Sequence, residues 1–254
     1  MRNLLKFEFR KLRSQKSFYI SLVIMAAMIL ITGISYKILL QHSDAIEEVA
    51  GQMLPKSSTA FLLLFVSASM FSMLGAIFTS ITVCDDYESQ IVKNIFARGY
   101  PRKDYYFAKL IYVFVATTLM FLFALAVSAV AGIAFFGFES ASGKIVILLL
   151  GQYAVCMAGV AMSFAISSAI KKLSGAIAAN IIVPIVIPLV LQLGDSLLKI
   201  KDFKIESVWT DSFLTSLMNA DVSTSRIFAC ILGAVAYAAA FIAAGFAATK
   251  RAEV

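Results

Sequence analysis

Four residues at intervals of four, Asn180, Pro184, Pro188 and Gln192, form the chain's clearest set of polar and backbone-breaking groups. On a helix they share one face. Proline has no N–H, so each one removes the helix donor for a carbonyl one turn back. Inside a membrane such a break is tolerated only where neighbouring groups or a wet cavity satisfy the backbone. The chemistry on offer is recognition and passage rather than bond-making, with a purely structural kink as the plain alternative. Ser72 and Thr79, with Ser69 and Ala76, add a small hydroxyl-bearing face earlier in the chain. It could line a pathway or serve as a packing seam. Trp209, Phe213 and Leu217 repeat at four within 199–225, which reads as an outer helical loop with Trp209 at headgroup depth. Trp209 and Phe213 could gate the outer end of a pathway.

Catalysis finds no support. No G-x-x-x-x-G-K-[ST] phosphate loop is present, so the chain is not expected to hydrolyse ATP itself. The H-E-x-x-H and G-x-S-x-G patterns are also missing. The only histidine, His42, has scattered carboxylates around it and reads as a solvated loop residue. Cys84, Cys156 and Cys230 are widely spaced, with no disulfide or zinc pattern, and read as apolar packing residues. No catalytic, cofactor-binding or metal-binding residue is assigned.

The elements that would position these groups are long apolar runs. Of 254 residues, 61% are hydrophobic and 15% charged, against about 25% charged in a soluble domain. Six runs, about 18–40, 60–83, 106–136, 145–170, 173–198 and 227–249, reach spanning length; a hydrocarbon core needs roughly 20 residues of helix. The fold class expected is all-α: a polytopic membrane protein with six transmembrane helices over residues 17–254. A soluble helical protein would not repeat helices of this length and purity six times. No ionisable residue falls mid-span. Lys37 and Lys109 lie near span ends, where they are expected to snorkel to the headgroups. The sixth run carries Gly233, Ala236, Ala240 and Ala244 as a packing face.

Fifteen of the 22 Lys and Arg residues fall on one side when loops alternate: the start, the second and fourth loops, and the tail. The positive-inside rule puts that side, and both termini, in the cytoplasm. The net charge of +7 is therefore a topology signal. Nucleic acid is not an expected partner, because no basic soluble domain exists to hold it.

Two cytoplasmic pieces carry the remaining information. In residues 1–16, Leu5, Phe9 and Leu12 form an apolar stripe beside the basic stripe of Arg2, Lys6, Arg10 and Arg13. This is an amphipathic helix suited to lie on membrane lipid, an elbow before the first span. In the second loop, Asp85, Asp86 and Glu88 precede a short run in which Ile91, Ile95 and Phe96 share a face. Arg98, Gly99 and Pro101 then end it. The pattern predicts a helix at about 88–97 with acids at its start, a basic end and a glycine stop. A helix so bounded suits a groove on a cytosolic partner.

The stretch DYESQIVKNIFARGYPRKDYYFAK, with Glu88, Arg98, Gly99, Arg102 and Lys109 at matching places, resembles the type-2 permeases of bacterial ABC exporters. Members often carry Gly-Thr after the glutamate; this chain has Ser89-Gln90. The resemblance covers essentially the whole chain. It implies an interfacial elbow, a coupling helix between spans 2 and 3, and location in a bacterial cell membrane. It also implies a dimer with a second permease copy or paralogue, and a separate ABC ATPase that binds ATP and Mg. The short single-domain size is similar to bacitracin- and lantibiotic-immunity permeases and to phenol-soluble-modulin exporters, which implies an amphipathic or antimicrobial peptide as substrate. The resulting expectation is a non-catalytic exporter subunit, energised by an ATPase docked at Glu88, Ile91, Ile95, Phe96, Arg98, Gly99 and Arg102. The alternative is a membrane sensor or scaffold that docks a cytosolic partner without transport.

Overall fold

The computed structural model describes residues 2–41, 55, 57–67, 69–138, 143–198, 207, 209–218 and 222–251. Among them are ten helices and no strand. In chain order they are α1 (Arg2–Ser14), α2 (Lys16–Gln41), α3 (Ser58–Ser67), α4 (Ser69–Glu88), α5 (Ile91–Ala97), α6 (Arg102–Phe136), α7 (Gly143–Ile170), α8 (Leu173–Leu198), α9 (Thr210–Ser216) and α10 (Thr224–Arg251).

Five of the six expected spans are helices long and apolar enough to cross a bilayer: Lys16–Leu39, Arg102–Phe136, Gly143–Ile170, Leu173–Leu197 and Thr224–Thr249. The expected span at 60–83 falls on α3 and α4, which flank residue 68. By itself α3 is only 10 residues long, and α4 ends in Asp85, Asp86 and Glu88, which lower its mean hydropathy. Residue 68, His42, and the 199–206 part of the expected outer loop lie outside the described residues.

The bundle is organised around α7. It is apolar on every side and rich in small residues, the pattern of a helix enclosed by others. The most extensive helix–helix contact is α7 against α10, and α4 and α8 also pack on α7. On the other side, α2 and α3 lie against α6. By contrast α8 turns Ile182, Ile185, Leu189 and Val190 outward, and α10 does the same with Phe228 and Leu232. These outward faces suit lipid or a neighbouring protein chain.

One buried amide ties together the end of the bundle remote from α1. The Gln152 Nε2 group on α7 donates to the carbonyls of Leu63 on α3 and Leu217 just after α9, both at 3.1 Å. The three cysteines are buried and unbridged, in keeping with packing.

The α7–α10 contact is close because of Gly245. A Cβ there would lie 2.7 Å from Tyr106 Oη and 3.0 Å from the backbone Cα of Ala165. Tyr106 cannot simply swing away, since its hydroxyl donates to the Ile242 carbonyl at 2.8 Å. Gly245→Val should therefore force the helices apart and cost about 1–3 kcal/mol, the usual range for overpacking. Thermal unfolding in detergent checks this, with Gly194→Ala as the control: nothing lies within 4 Å of a Cβ at Gly194, and its midpoint should not fall.

Candidate functional site

Helix α1 places Leu4, Glu8, Lys11 and Leu12 on one face, which packs against its own chain rather than facing outward. Glu8 is 2% exposed, although it is the only acidic residue in the first sixteen. Its partner is Lys109 of α6, itself 1% exposed. The Lys109 Nζ donates to Glu8 Oε2 at 3.0 Å and to Asp86 Oδ2 at 2.5 Å. Lys11 donates to the other Asp86 oxygen at 2.6 Å and reaches Asp85 at 3.3 Å. Tyr105 adds its hydroxyl to Asp86 at 3.2 Å. A second bond, from Tyr112 of α6 to Gln15, extends the knot to the junction of α1 and α2. Lys109 therefore does not snorkel to the headgroups as the sequence suggested. Two carboxylates within the protein offset its burial and hold it there.

The two buried acids are held differently. Burial pushes both carboxyls up, because a low-dielectric setting disfavours the charged form. At Glu8 burial wins over Lys109, and the nearby Asp86 charge reinforces it, so the group lies above its usual value. At Asp86 the two lysines, each also hydrogen-bonded, overcome burial and hold the group below the usual carboxylate value. For Lys11, burial pulls downward, but Asp86 and Asp85 outweigh it and leave the ammonium raised.

Next to this knot lies α5. The expected helix at 88–97 is shorter, because α4 runs on through Glu88; the Ser89 amide still bonds the Asp85 carbonyl at 2.9 Å. The break comes at Gln90, whose φ of 57° is left-handed and caps α5. Asp85, Asp86 and Glu88 thus finish one helix instead of opening the next. Glu88 instead caps a third: its Oε1 accepts the Leu173 amide at 2.8 Å, at the first turn of α8, where a carboxylate complements the helix dipole. Gly99 takes φ 82° and ends α5, as its position predicted, and its amide bonds the Phe96 carbonyl at 2.9 Å.

The apolar face assigned to a partner is largely consumed within the chain. Ile95 is 9% exposed and packs with Val92, Leu4, Tyr105 and Ala108, while Ile91 and Phe96 are half-buried beside them. Phe96 lies edge-on to Tyr105 with centroids 5.9 Å apart, and the Arg102 guanidinium sits 5.8 Å from the Phe96 ring centre. Lys93, Asn94, Ala97, Arg98, Gly99 and Arg102 remain exposed. A groove of about 370 Å³ between α1 and α5 is lined by Asn3, Leu4, Phe7, Ile91, Asn94, Ile95, Arg98 and Tyr100. On the elbow, Arg10 and Phe9 are exposed, Leu5 and Leu12 half-buried, and Phe9 meets Tyr112 edge-on at 6.5 Å.

A second site opens at the side of the bundle, where the outward-facing Met73, Ile185 and Leu189 form part of its lining. A cavity of about 450 Å³ is bounded by Ser72, Met73 and Ala76 of α4, by Gly159 and Ser163 of α7, by Asn180, Pro184 and Pro188 of α8, and by Trp209 and Leu214 at α9. The structure therefore brings together Ser72, Asn180, Pro184, Pro188 and Trp209. It does not bring the rest. Thr79 is buried and bonds the Gly75 carbonyl at 2.7 Å, outside the lining. Gln192 is exposed, further along α8. Phe213 covers Gly233, where a Cβ would lie 2.7 Å from its ring, and meets Tyr237 at 6.4 Å.

Glu8 and Asp86 were not singled out from sequence as a pair. The signal for Glu8 was its isolation among basic residues, in register with Leu4, Lys11 and Leu12. Nothing local ties Asp86 or Lys109 to it, since they lie 78 and 101 positions on.

The two acids should respond oppositely to substitution at neutral pH. Asp86→Asn leaves Lys109 and Lys11 short of their shared anion and should cost about 3–5 kcal/mol, as breaking a buried pair does. Glu8→Gln resembles the neutral form that burial favours and should cost a small fraction of that. The pH dependence follows in sign. Asp86 has a native value below its usual 3.8, so its stabilisation is complete above that pH and is lost as pH falls through the native value. Glu8 has a native value above 4.5, so its ionisation weakens folding as pH rises through that value. Unfolding in detergent from pH 3 to pH 8, for the parent and each variant, checks both.

No curated protein matches the chain. A family model described as ABC-2 family transporter protein matches residues 4–195, a stretch that includes the elbow, the ion knot, α5 and the α8 wall of the cavity. The chain belongs to the ABC-2 transporter family and is an ABC transporter permease of the multi-pass membrane type.

Proposed function

We propose that this permease is the membrane subunit of an exporter for amphipathic or antimicrobial peptides. A separate ABC ATPase that binds ATP and Mg energises it from the cytoplasmic side, and six spans cross the membrane with both termini in the cytoplasm. Membership of the family supports an ATPase partner and a dimer of permeases. The observation that carries the docking reading is the attachment of α5. Its inner face is packed against Leu4 of α1 and Tyr105 and Ala108 of α6. A push on α5 is thereby delivered to the elbow and to the longest span at once, and through the Glu88 cap to the start of α8. A loosely tethered linker would dissipate the same push.

The docking surface is then the exposed side of α5 and its end, with Lys93, Asn94, Ala97 and Arg98, beside the α1–α5 groove. Ile91, Ile95 and Phe96 act behind it as the packing that stiffens the helix. The basic pair suits an ATPase groove with acidic residues.

Co-purification with the ATPase of the neighbouring reading frame tests the reading. Lys93→Glu with Arg98→Glu should leave the permease folded, with an unchanged thermal midpoint, and lower both ATPase recovery and substrate-stimulated ATP hydrolysis at least tenfold. Full assembly and full stimulation in this variant would reject docking at α5. Absence of ATP-dependent peptide movement in proteoliposomes that contain the intact complex would favour the sensor or scaffold alternative.

A further inference from the structure

The cavity between α4, α7, α8 and α9 has one deep polar group that the fold leaves open. Ser163 of α7 lines it and is 3% exposed. The Ser163 carbonyl accepts from Ser167 Oγ at 2.7 Å and from Asn180 Nδ2 at 3.3 Å, but the Ser163 hydroxyl has no hydrogen-bond partner among the described residues. The neighbouring hydroxyls of Thr79, Ser80 and Ser167 each return their hydrogen to a carbonyl one turn back in their own helix, which is how a helix accommodates a buried hydroxyl. Asn180 lines the cavity too. Its Nδ2 is engaged by Ser80 and Ser167 at 2.8 and 2.9 Å, and its Oδ1 is sealed off from the cavity. The group available to a ligand at this depth is the Ser163 hydroxyl.

The rest of the wall decides what can meet that hydroxyl. Met73, Ile185 and Leu189 line the cavity and also face outward from the bundle, so the opening lies where hydrocarbon surrounds a spanning helix. Among the described residues the lining has no Lys or Arg, and its one acid, Asp211, stands at the α9 end. A charged head beside Ser163 would lose its hydration and gain no counter-charge. An uncharged oxygen there pairs with a hydroxyl that is otherwise buried without a partner, which is a costly state to leave unrelieved. The volume of about 450 Å³ falls within the rough 300–1,000 Å³ range of small-molecule pockets.

We infer that this cavity takes up an uncharged long-chain amphiphile from the lipid phase, with an oxygen of its head accepting the Ser163 hydroxyl hydrogen and its chain leaving along Met73, Ile185 and Leu189. A long-chain alcohol and a long-chain primary amide share that chemistry. The inference goes beyond the transport reading, because the binding needs neither an ATPase nor a peptide.

Trp209, the only tryptophan in the chain, is buried and lines the cavity, so it is a native reporter. Bromine quenches indole emission at short range. The full chain in phosphatidylcholine nanodiscs is titrated with 12-bromododecanol and 12-bromododecanamide, against 12-bromododecanoate and the headless 1-bromododecane. At least one of the two uncharged heads should quench Trp209 saturably and bind about fivefold or more tightly than both controls, as one net hydrogen bond predicts. The tighter of the two identifies the head class. Ser163→Ala removes only an unbonded hydroxyl, so the protein should keep its thermal midpoint while the favoured probe falls to the level of 1-bromododecane. Gly159→Phe is the second variant. Gly159 lines the cavity and nothing lies within 4 Å of a Cβ there, so the ring occupies the space and should abolish the saturable quenching. Unchanged affinity in Ser163→Ala, equal affinity for the carboxylate, or quenching undisturbed in Gly159→Phe would overturn the inference. Every one of these results leaves the ATPase-docking experiment free to succeed or fail independently.

Discussion

A lysine ammonium cannot be stable inside protein unless anions meet it, and Lys109 meets two. Moving such an ion from water into a low-dielectric interior costs several kcal/mol even after relaxation. That cost is what fastens α1 to the bundle. Glu8 arrives from α1, Asp86 from the last turns of α4, and Lys109 from α6; Asp86, which also pairs with Lys11 of α1, is the member whose loss strands the lysines. Helix α1 is therefore an integral part of the folded unit, and its Leu5–Phe9–Leu12 stripe is divided: Leu5 and Leu12 pack on the protein and Phe9 stays exposed.

This constraint shapes what lies around it. Because α1 is fastened, Leu4 is presented to Ile95 and Val92, and α5 gains a floor. Because α4 continues to Glu88 in order to deliver Asp86, its end also reaches the start of α8 and caps it. The short helix α5 thus packs on both α1 and α6, and the end of α4 that leads into it is bonded to the start of α8. Buried ion pairs are weak evidence for stability when compared with apolar packing, but they are strongly directional. Here the direction is a fixed orientation of α5 relative to α6.

The bundle's other end is built by opposite means. Small residues and a buried amide replace charge: Gly233 lets the Phe213 ring approach α10, and Gln152 ties α3 and α9 to α7. Between the two ends, the hydroxyls of Ser80 and Ser167 and the Asn180 amide form a neutral polar layer beneath the cavity. Polar groups at such depth are tolerated because each hydroxyl returns its hydrogen to its own helix.

Periodicity and composition alone determined the helical class, five of the six expected long apolar helices, the helix over Arg2–Ser14, and the glycine stop at Gly99. These depend on near neighbours: spacing of apolar side chains, runs without charge, and one φ that glycine tolerates. The spacing of Asn180, Pro184 and Pro188 likewise placed them on one face, and the cavity lies there. Only the tertiary structure decided which charges are buried, that Glu88 caps α8, and that Ile95 faces inward. Asp86 looks like a helix-opening acid until α4 is seen to run past it, and Lys109 looks like a snorkelling residue until Glu8, 101 positions away, is seen beside it. Burial and charge pairing depend on which distant segments meet, and a local pattern cannot encode that.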